Sequence, residues 1–301
     1  MTQLSSHGHP IDETLFAPLV DSTDHLGNRQ ALLADLEANG YLLLRGVLDR
    51  DLVLKAREEV FTRLAEVGEI RSDRPITEGV ATGTSRRGET APDLGAFWRS
   101  VSESPSLVKI VREGNAIRFY ETLLGEAVRP YDFIWLRTMT VGRASGFHYD
   151  HVYMNRGTPH VLSSWIPLGD IRRHEGTLLV VEGSHRFQDL IDRYTGLDVD
   201  RGTLSGTITT DPVGFARERG TRLLSADFRA GDMMVLSMFC LHGSLDNNSA
   251  EGKIRLSCDA RYQRASEPID ERWVGENPLG HGKGYGSLSA AQPLTAPPIF
   301  R

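Results

Sequence analysis

Apolar positions along this chain follow two different periods, and the change of period divides it. Up to about residue 127 the spacing is helical. Leu32, Leu33 and Leu36 share one face of a helix beginning near Gln30, and Gly40 supplies a stop after Asn39. Tyr41–Val47 (Tyr-Leu-Leu-Leu-Arg-Gly-Val) predicts a short buried strand. Asp49 is the expected N-cap of a longer helix striped by Leu52, Val53, Ala56, Val60 and Leu64. Ser104-Pro105 opens a further helix carrying Leu107, Val108 and Val111, and Ala116–Leu124 predicts another, stopped by Gly125. From Val128 the period falls to two and aromatic and β-branched residues dominate. Strands are expected over Tyr131–Val141, Val161–Leu168, Thr177–Val181, Leu223–Phe228, Met233–Leu241 and Ile254–Gln263.

Helices followed by a run of strands predict a mainly β protein with a helical flank. The strand count suits a closed double-sheet jelly roll, cupin-like, with an interior for a ligand. The division that follows is a loosely held arm over residues 1–28 and one domain over 29–265. Within it lie a helical flank (29–127) and a jelly-roll core (128–265) carrying an insertion of mixed helix and loop (186–222). A tail rich in Pro and Gly (266–301) is expected to pack on the domain. Residues 70–97 show no period, and with the tail they are the expected lid elements.

Composition narrows the partners. Lys and Arg number 34 against 40 Asp and Glu, a net charge of −6, and no basic run stands out, so nucleic acid is not an expected partner. Met1–Pro10 lacks the apolar core of a signal peptide, and no apolar stretch has the length of a membrane span. The two cysteines, Cys240 and Cys258, have no metal-type spacing, which points to a reducing, cytoplasmic setting.

The chemistry gathers around Gly146–Asp150 (Gly-Phe-His-Tyr-Asp). On a strand, His148 and Asp150 leave the same face. An imidazole and a carboxylate aimed into one space suit a divalent metal. One more histidine would complete a two-His-one-carboxylate set with open positions for cosubstrate and dioxygen. His242 is the candidate. Extending the Met233–Leu241 alternation by one residue puts Met234, Leu236, Met238, Cys240 and His242 on one face, with His242 at its mouth. Arg255 and Ser257 share a face of the following strand. If the two strands form a hairpin, Arg255 lies near His242. A guanidinium and a hydroxyl there suit a dicarboxylate whose other end chelates the metal. Asp259 and Arg261 continue that face and could pair internally.

In this ordered set the chain resembles the phytanoyl-CoA dioxygenase-like branch of the Fe(II)- and 2-oxoglutarate-dependent oxygenases. The resemblance runs from about Leu36 to Gln263. It covers Asn39–Val47, His148-Tyr149-Asp150, Glu175–Leu178 with Glu182-Gly183-Ser184-His185, Ala230-Gly231-Asp232, His242-Gly243-Ser244 with Asn247, and Arg255-Leu256-Ser257. Glu182 stands where the family usually has proline. The resemblance implies a double-stranded β-helix, Fe(II) on His148, Asp150 and His242, and 2-oxoglutarate held by Arg255 with help from Ser257. Lys253 and Arg261 remain alternative anchors. It further implies dioxygen as co-reactant, decarboxylation of 2-oxoglutarate to succinate, and hydroxylation or another oxidation of a small molecule's C–H bond. Halogenating relatives lack the carboxylate ligand, so Asp150 argues against halogenation.

Trp135 is a candidate cosubstrate contact. Tyr149, His151, Tyr153 and Arg137 are candidates for a substrate pocket, and His185 reads as a structural turn residue. The alternative function is a cupin-type metal enzyme on the same barrel that does not use 2-oxoglutarate.

Overall fold

Side chains alternate across two facing β-sheets in a computed structural model of the chain, which describes residues 3–201, 205–276, 278 and 292–295. The major sheet runs Tyr41–Leu44, Met233–Ser237, Leu162–Pro167, Arg255–Arg264 and Val128–Pro130, and Trp135–Met139 also pairs with Arg255–Arg264. The minor sheet runs Thr207–Thr209, Phe147–His148, His242–Ser244, Leu178–Val181, Leu223–Ser225 and Phe16–Pro18. This is the expected jelly-roll arrangement, with one correction. Among the described residues no ladder joins the two sheets, so they are not a closed barrel.

Three apolar layers follow from the alternation. Leu42, Leu44, Val235, Ile166, Leu256 and Cys258 point from the major sheet into the helical flank, where they meet Val53, Val60, Leu107 and Leu123. Tyr41, Leu43, Trp165, Met234 and Leu236 point the other way and meet Leu178, Val180 and Leu224 of the minor sheet. Phe147, Leu179, Val181 and Leu223 face outward from the minor sheet under Leu190, Tyr194 and Val213. Each large apolar side chain buried in full contributes roughly 1.5–3 kcal/mol. The flank helices therefore cover a sheet face that would otherwise be exposed and mainly apolar.

Asp49 is the cap expected of it, Ser104 opens its helix without a side-chain cap bond, and Asn28 is a cap that the sequence did not single out. Asn28 Oδ1 accepts from Ala31 N at the start of Arg29–Asn39. Asp49 accepts from the backbone of Asp51 and Leu52 ahead of Arg50–Glu66. The two later flank helices are Pro105–Arg112 and Gly114–Leu124. No helix among the described residues is long and apolar enough to cross a membrane.

Four expectations change. The Met233–Leu241 strand ends at Ser237; the chain then crosses between sheets, and His242–Ser244 belongs to the minor one. Two-residue alternation cannot register such a crossing, because apolar spacing persists through it. Nor do Met233–Ser237 and Arg255–Arg264 form a hairpin, since Leu162–Pro167 lies between them. The segment expected as a loose arm is instead tied down. Ser5–Ser6 pairs with His9–Pro10, Asp246 accepts from Ser5 Oγ and from the backbone of His7 and Gly8, and Phe16–Pro18 runs parallel to Leu223–Ser225. Strands of two or three residues are too short to show a period. Finally, residues 70–97 contain bridges from Ile70 to Ala81 and from Val80 to Lys253. They also hold the turn Arg87–Thr90 and the start of the helix Leu94–Ser102. Arg87 is wholly buried there, paired with Glu69 at 2.6 Å.

The 186–222 segment holds the helices Gln188–Thr195 and Pro212–Arg219, but its Thr207–Thr209 joins the minor sheet beside His148. Of the tail expected as a lid, residues 277, 279–291 and 296–301 lie outside those described. The tail's first part is packed: Trp273 is fully buried and its carbonyl accepts from the backbone of Asp132 and Phe133.

Gly40 shows how the flank is docked. It closes the first helix in the left-handed region, with φ 78°, and a Cβ there would lie 2.6 Å from the ring of His185. Both the conformation and the contact oppose a side chain. Gly40→Ala should lower stability by about 1–3 kcal/mol in urea unfolding, with an unchanged m-value.

Candidate active site

The site begins as one cross-strand pair. His148 ends Phe147–His148, His242 begins His242–Ser244, and the two residues stand opposite each other with ring centroids 4.6 Å apart. Gly243 permits this approach, since a Cβ there would come within 2.7 Å of both Ser145 O and the Phe147 ring. Each imidazole is aimed by the same device. His148 Nδ1 donates to Gly146 O at 2.8 Å, and His242 Nδ1 donates to Cys240 O at 2.9 Å. A carbonyl only accepts, so the proton sits on Nδ1 and the Nε2 lone pair is left for a metal.

Asp150 completes the group by a route the sequence did not suggest. The strand ends at His148, and Asp150 opens the 3-10 turn Asp150–Tyr153. Its Oδ1 lies 3.5 Å from His148 Nε2, and the ligand atoms of His148, Asp150 and His242 all fall within 4.8 Å of one another. This triad fits an iron site. Arg261 Nη2 donates to both oxygens of Asp150 at 3.1 Å, and Ser163 Oγ donates to Oδ2. Burial pushes the Asp150 carboxyl up, but the Arg261 guanidinium and the two imidazoles outweigh it and hold the group well below the usual carboxylate range. Burial, and secondarily His148, pull His242 down to about 4, so its ring is neutral at pH 7, as ligation requires.

Arg255, Ser257, Asp259 and Arg261 do line one face of a single strand, as their spacing predicted. Their partners differ from the expected ones. Asp259 takes Arg137 Nε at 2.5 Å, while Arg261 takes Asp150. Arg255 is 3% exposed; its Nη1 donates to Ser257 Oγ at 2.5 Å, and its guanidinium lies 5.9 Å from the Trp165 ring centroid. Its Nε has no hydrogen-bond partner, and no carboxylate among the described residues pairs with it. Burial pulls its pKa down to about 10, which still leaves it charged at pH 7. Lys253, the other alternative, pairs with Glu251 at 2.6 Å and is one-third exposed.

The flanking candidates separate. Tyr153 stands edge-on to His148, with centroids 5.5 Å apart. Trp135 lies 4.5 Å from the Arg261 guanidinium and 4.7 Å from the Trp273 ring, so it braces the arginine that holds Asp150. Tyr149 and His151 turn away from the triad. The Tyr149 hydroxyl donates to Ser184 O within the outer layer of the minor sheet, and His151 Nε2 meets Thr195 O with its ring stacked on Phe239. His185 bonds Glu37 O and is structural, as expected. Sequence reasoning missed Ser163. The signal was there, in the hydroxyl pair Ser163-Ser164 within an otherwise apolar strand: Ser163 faces Asp150 and Ser164 bonds Tyr120 on the helical side. It also missed Trp165 beneath Arg255 and Trp273 in the tail.

The profile of the Phytanoyl-CoA dioxygenase (PhyH) family matches residues 36–255. The chain belongs to this family. Two curated relatives are 1-deoxypentalenic acid 11-beta-hydroxylases. That of Streptomyces exfoliatus is 27% identical over 267 residues, covering 82% of this chain and 85% of the relative. That of Streptomyces arenae is 24% identical over 271 residues, covering 83% and 87%. Two solved structures share the fold. The alpha-ketoglutarate-dependent carbocyclase SnoK from nogalamycin biosynthesis has TM-score 0.54, 18% identity and coverage of 88% and 92%. EctD from S. alaskensis has TM-score 0.52, 19% identity and coverage of 92% and 90%. This PhyH-family chain is thus an Fe(II)- and 2-oxoglutarate-dependent oxygenase, and the cupin-type alternative without 2-oxoglutarate falls away.

The partners of Asp150 predict a graded effect on metal affinity. Ser163→Ala, which removes one hydrogen bond to the carboxylate, should weaken Fe(II) binding roughly 10-fold, and His242→Ala, which removes a ligand, by more than about 100-fold. Anaerobic calorimetric titration measures both.

Proposed function

We propose that this PhyH-family oxygenase hydroxylates a C–H bond of a small molecule while converting 2-oxoglutarate to succinate and carbon dioxide. His148, Asp150 and His242 hold Fe(II), and Arg255 with Ser257 holds the distal carboxylate of 2-oxoglutarate. One observation carries the second assignment: Arg255 is a buried, charged guanidinium with an unpartnered Nε and, among the described residues, no carboxylate within ion-pair distance. An isolated buried charge costs several kcal/mol, and a carboxylate removes that penalty. Of the three basic residues the spacing allowed, Lys253 and Arg261 already have carboxylates.

The bound iron would supply the oxidising power that an unactivated C–H bond requires. This chain's residues do the placing. The carbonyls of Gly146 and Cys240 fix both imidazoles by their Nδ1 protons. Arg261 and Ser163 keep Asp150 ionised and oriented. Trp165, Met234 and Leu236, between the sheets, exclude water from the interior into which Arg255 projects. The hydroxylase relatives, which act on 1-deoxypentalenic acid, support a small-molecule substrate.

Arg255→Ala should raise the KM for 2-oxoglutarate at least about 30-fold, since truncating one side of a buried, hydrogen-bonded charge pair costs about 2–5 kcal/mol. Lys253→Ala should leave it within about 2-fold. Succinate release at varied 2-oxoglutarate measures both. An unchanged KM in Arg255→Ala, or a large rise in Lys253→Ala, contradicts the assignment.

A further inference from the structure

A second guanidinium shares the interior with Arg255. Arg137, on Trp135–Met139, stands opposite Ser257 in the sheet ladder. Its Nε donates to Asp259, and this pair occupies one edge of the guanidinium only. Its side chain is 36% exposed, whereas Asp259 is buried. Among the described residues the Arg137 Nη atoms have no hydrogen-bond or ion-pair partner, and the partial exposure leaves room beside them. The charged groups near Arg137 are Asp259 and Asp150, which attract it, and Arg255, which repels it, with the Tyr153 phenol beside them. Burial works against its charge, but the two carboxylates outweigh that and keep Arg137 protonated.

Charge balance gives the open edge a meaning. On the inward faces of these two strands and at Asp150 there are three guanidiniums, Arg137, Arg255 and Arg261, against two carboxylates, Asp150 and Asp259. Fe(II) and the 2-oxoglutarate dianion cancel each other. The loaded site therefore retains one positive charge in a partly desolvated space. Arg255 would be taken up by 2-oxoglutarate, and Arg261 is closed in between Asp150 and the Trp135 ring. Arg261 Nε and Nη1 also lack partners but are buried, so Arg137 is the one of the three guanidiniums with exposed room for a partner.

We propose that Arg137 binds a carboxylate of the substrate, so that this oxygenase acts on an anionic small molecule. The carboxylate would sit across the free Nη edge, where a guanidinium offers two parallel donors. Trp135 stands two residues before Arg137 on the same strand face, and Tyr153, near enough to feel the Arg137 charge, abuts the ligand His148. An apolar acid held by its head group at Arg137 would thus present its carbon skeleton toward the metal. The proposal rests on the reading of the site as an Fe(II)/2-oxoglutarate centre.

The test uses full-length protein loaded anaerobically with Fe(II) and 2-oxoglutarate. The probes are adamantane-1-carboxylate and octanoate, each beside its primary amide. Calorimetry reads probe affinity, and the same samples give the dissociation constant of 2-oxoglutarate. At least one acid should bind the wild type about 10-fold or more tightly than its amide, the effect expected of a charge-assisted pair. Arg137→Gln should abolish that preference while leaving 2-oxoglutarate affinity within about 3-fold, and Arg137→Lys should retain part of it. The double variant Arg137→Gln/Asp259→Asn leaves no orphaned carboxylate and should match Arg137→Gln. Acids that bind no better than amides would overturn the proposal. So would a 2-oxoglutarate affinity weakened 10-fold or more in Arg137→Gln, which would place this arginine on the cosubstrate. Failure of the wild type to bind 2-oxoglutarate is a separate result, and it would remove the site reading along with the proposal.

Discussion

The buried contact between Arg261 and Asp150 is the constraint around which the rest of the site is arranged. A carboxylate taken out of water protonates unless something holds its charge. A protonated Asp150 would be a poor ligand. Arg261 prevents this from the neighbouring sheet, by two hydrogen bonds of 3.1 Å. That contact is also the stitch between the two sheets at the site, since Arg261 belongs to the major sheet and Asp150 follows the minor one. Trp135 lies against the guanidinium and Trp273 packs on Trp135 at a tilt, so a residue of the tail backs the arginine that holds Asp150.

Strand alternation explains how so much charge sits in one place without unfolding the sheet. Along Arg255–Arg264 every second residue is polar and faces inward, while Leu256, Cys258, Ala260 and Tyr262 bury themselves against the helical flank. The apolar face supplies the stabilisation, and the polar face supplies the chemistry. Each inward charge then needs a partner. Arg261 and Asp259 find theirs in Asp150 and Arg137. Arg255 finds no carboxylate among the described residues, which is the ground for proposing that it holds an anion.

Much of this was legible in the sequence because period and chemistry coincide in the strands. The Arg-x-Ser-x-Asp-x-Arg spacing alone puts four polar side chains on one face. The helix cap at Asp49 was equally plain, since a cap acts within three residues. What escaped depends on contacts distant in sequence. His242 was placed correctly for the wrong reason: the strand was extended straight through a crossing between sheets that leaves no trace in apolar spacing. Asp150 likewise reaches the site from a turn, not a strand. Tyr149 and His151 flank the ligands in sequence yet face the other layer, because the turn after His148 redirects them. The pairing of Arg261 with Asp150, and not with Asp259, could not be read from a single strand. The role of Trp273 depends on a tail that shows no period at all.

The central claim is that the triad and Arg255 together form a centre that binds Fe(II) and 2-oxoglutarate at once. An anaerobic titration of the Fe(II)-loaded protein with 2-oxoglutarate tests it most directly. Chelation of the 2-oxo acid by the metal should produce a weak visible charge-transfer band that saturates at one equivalent per chain. Iron that binds without the band appearing at any 2-oxoglutarate concentration would contradict the account.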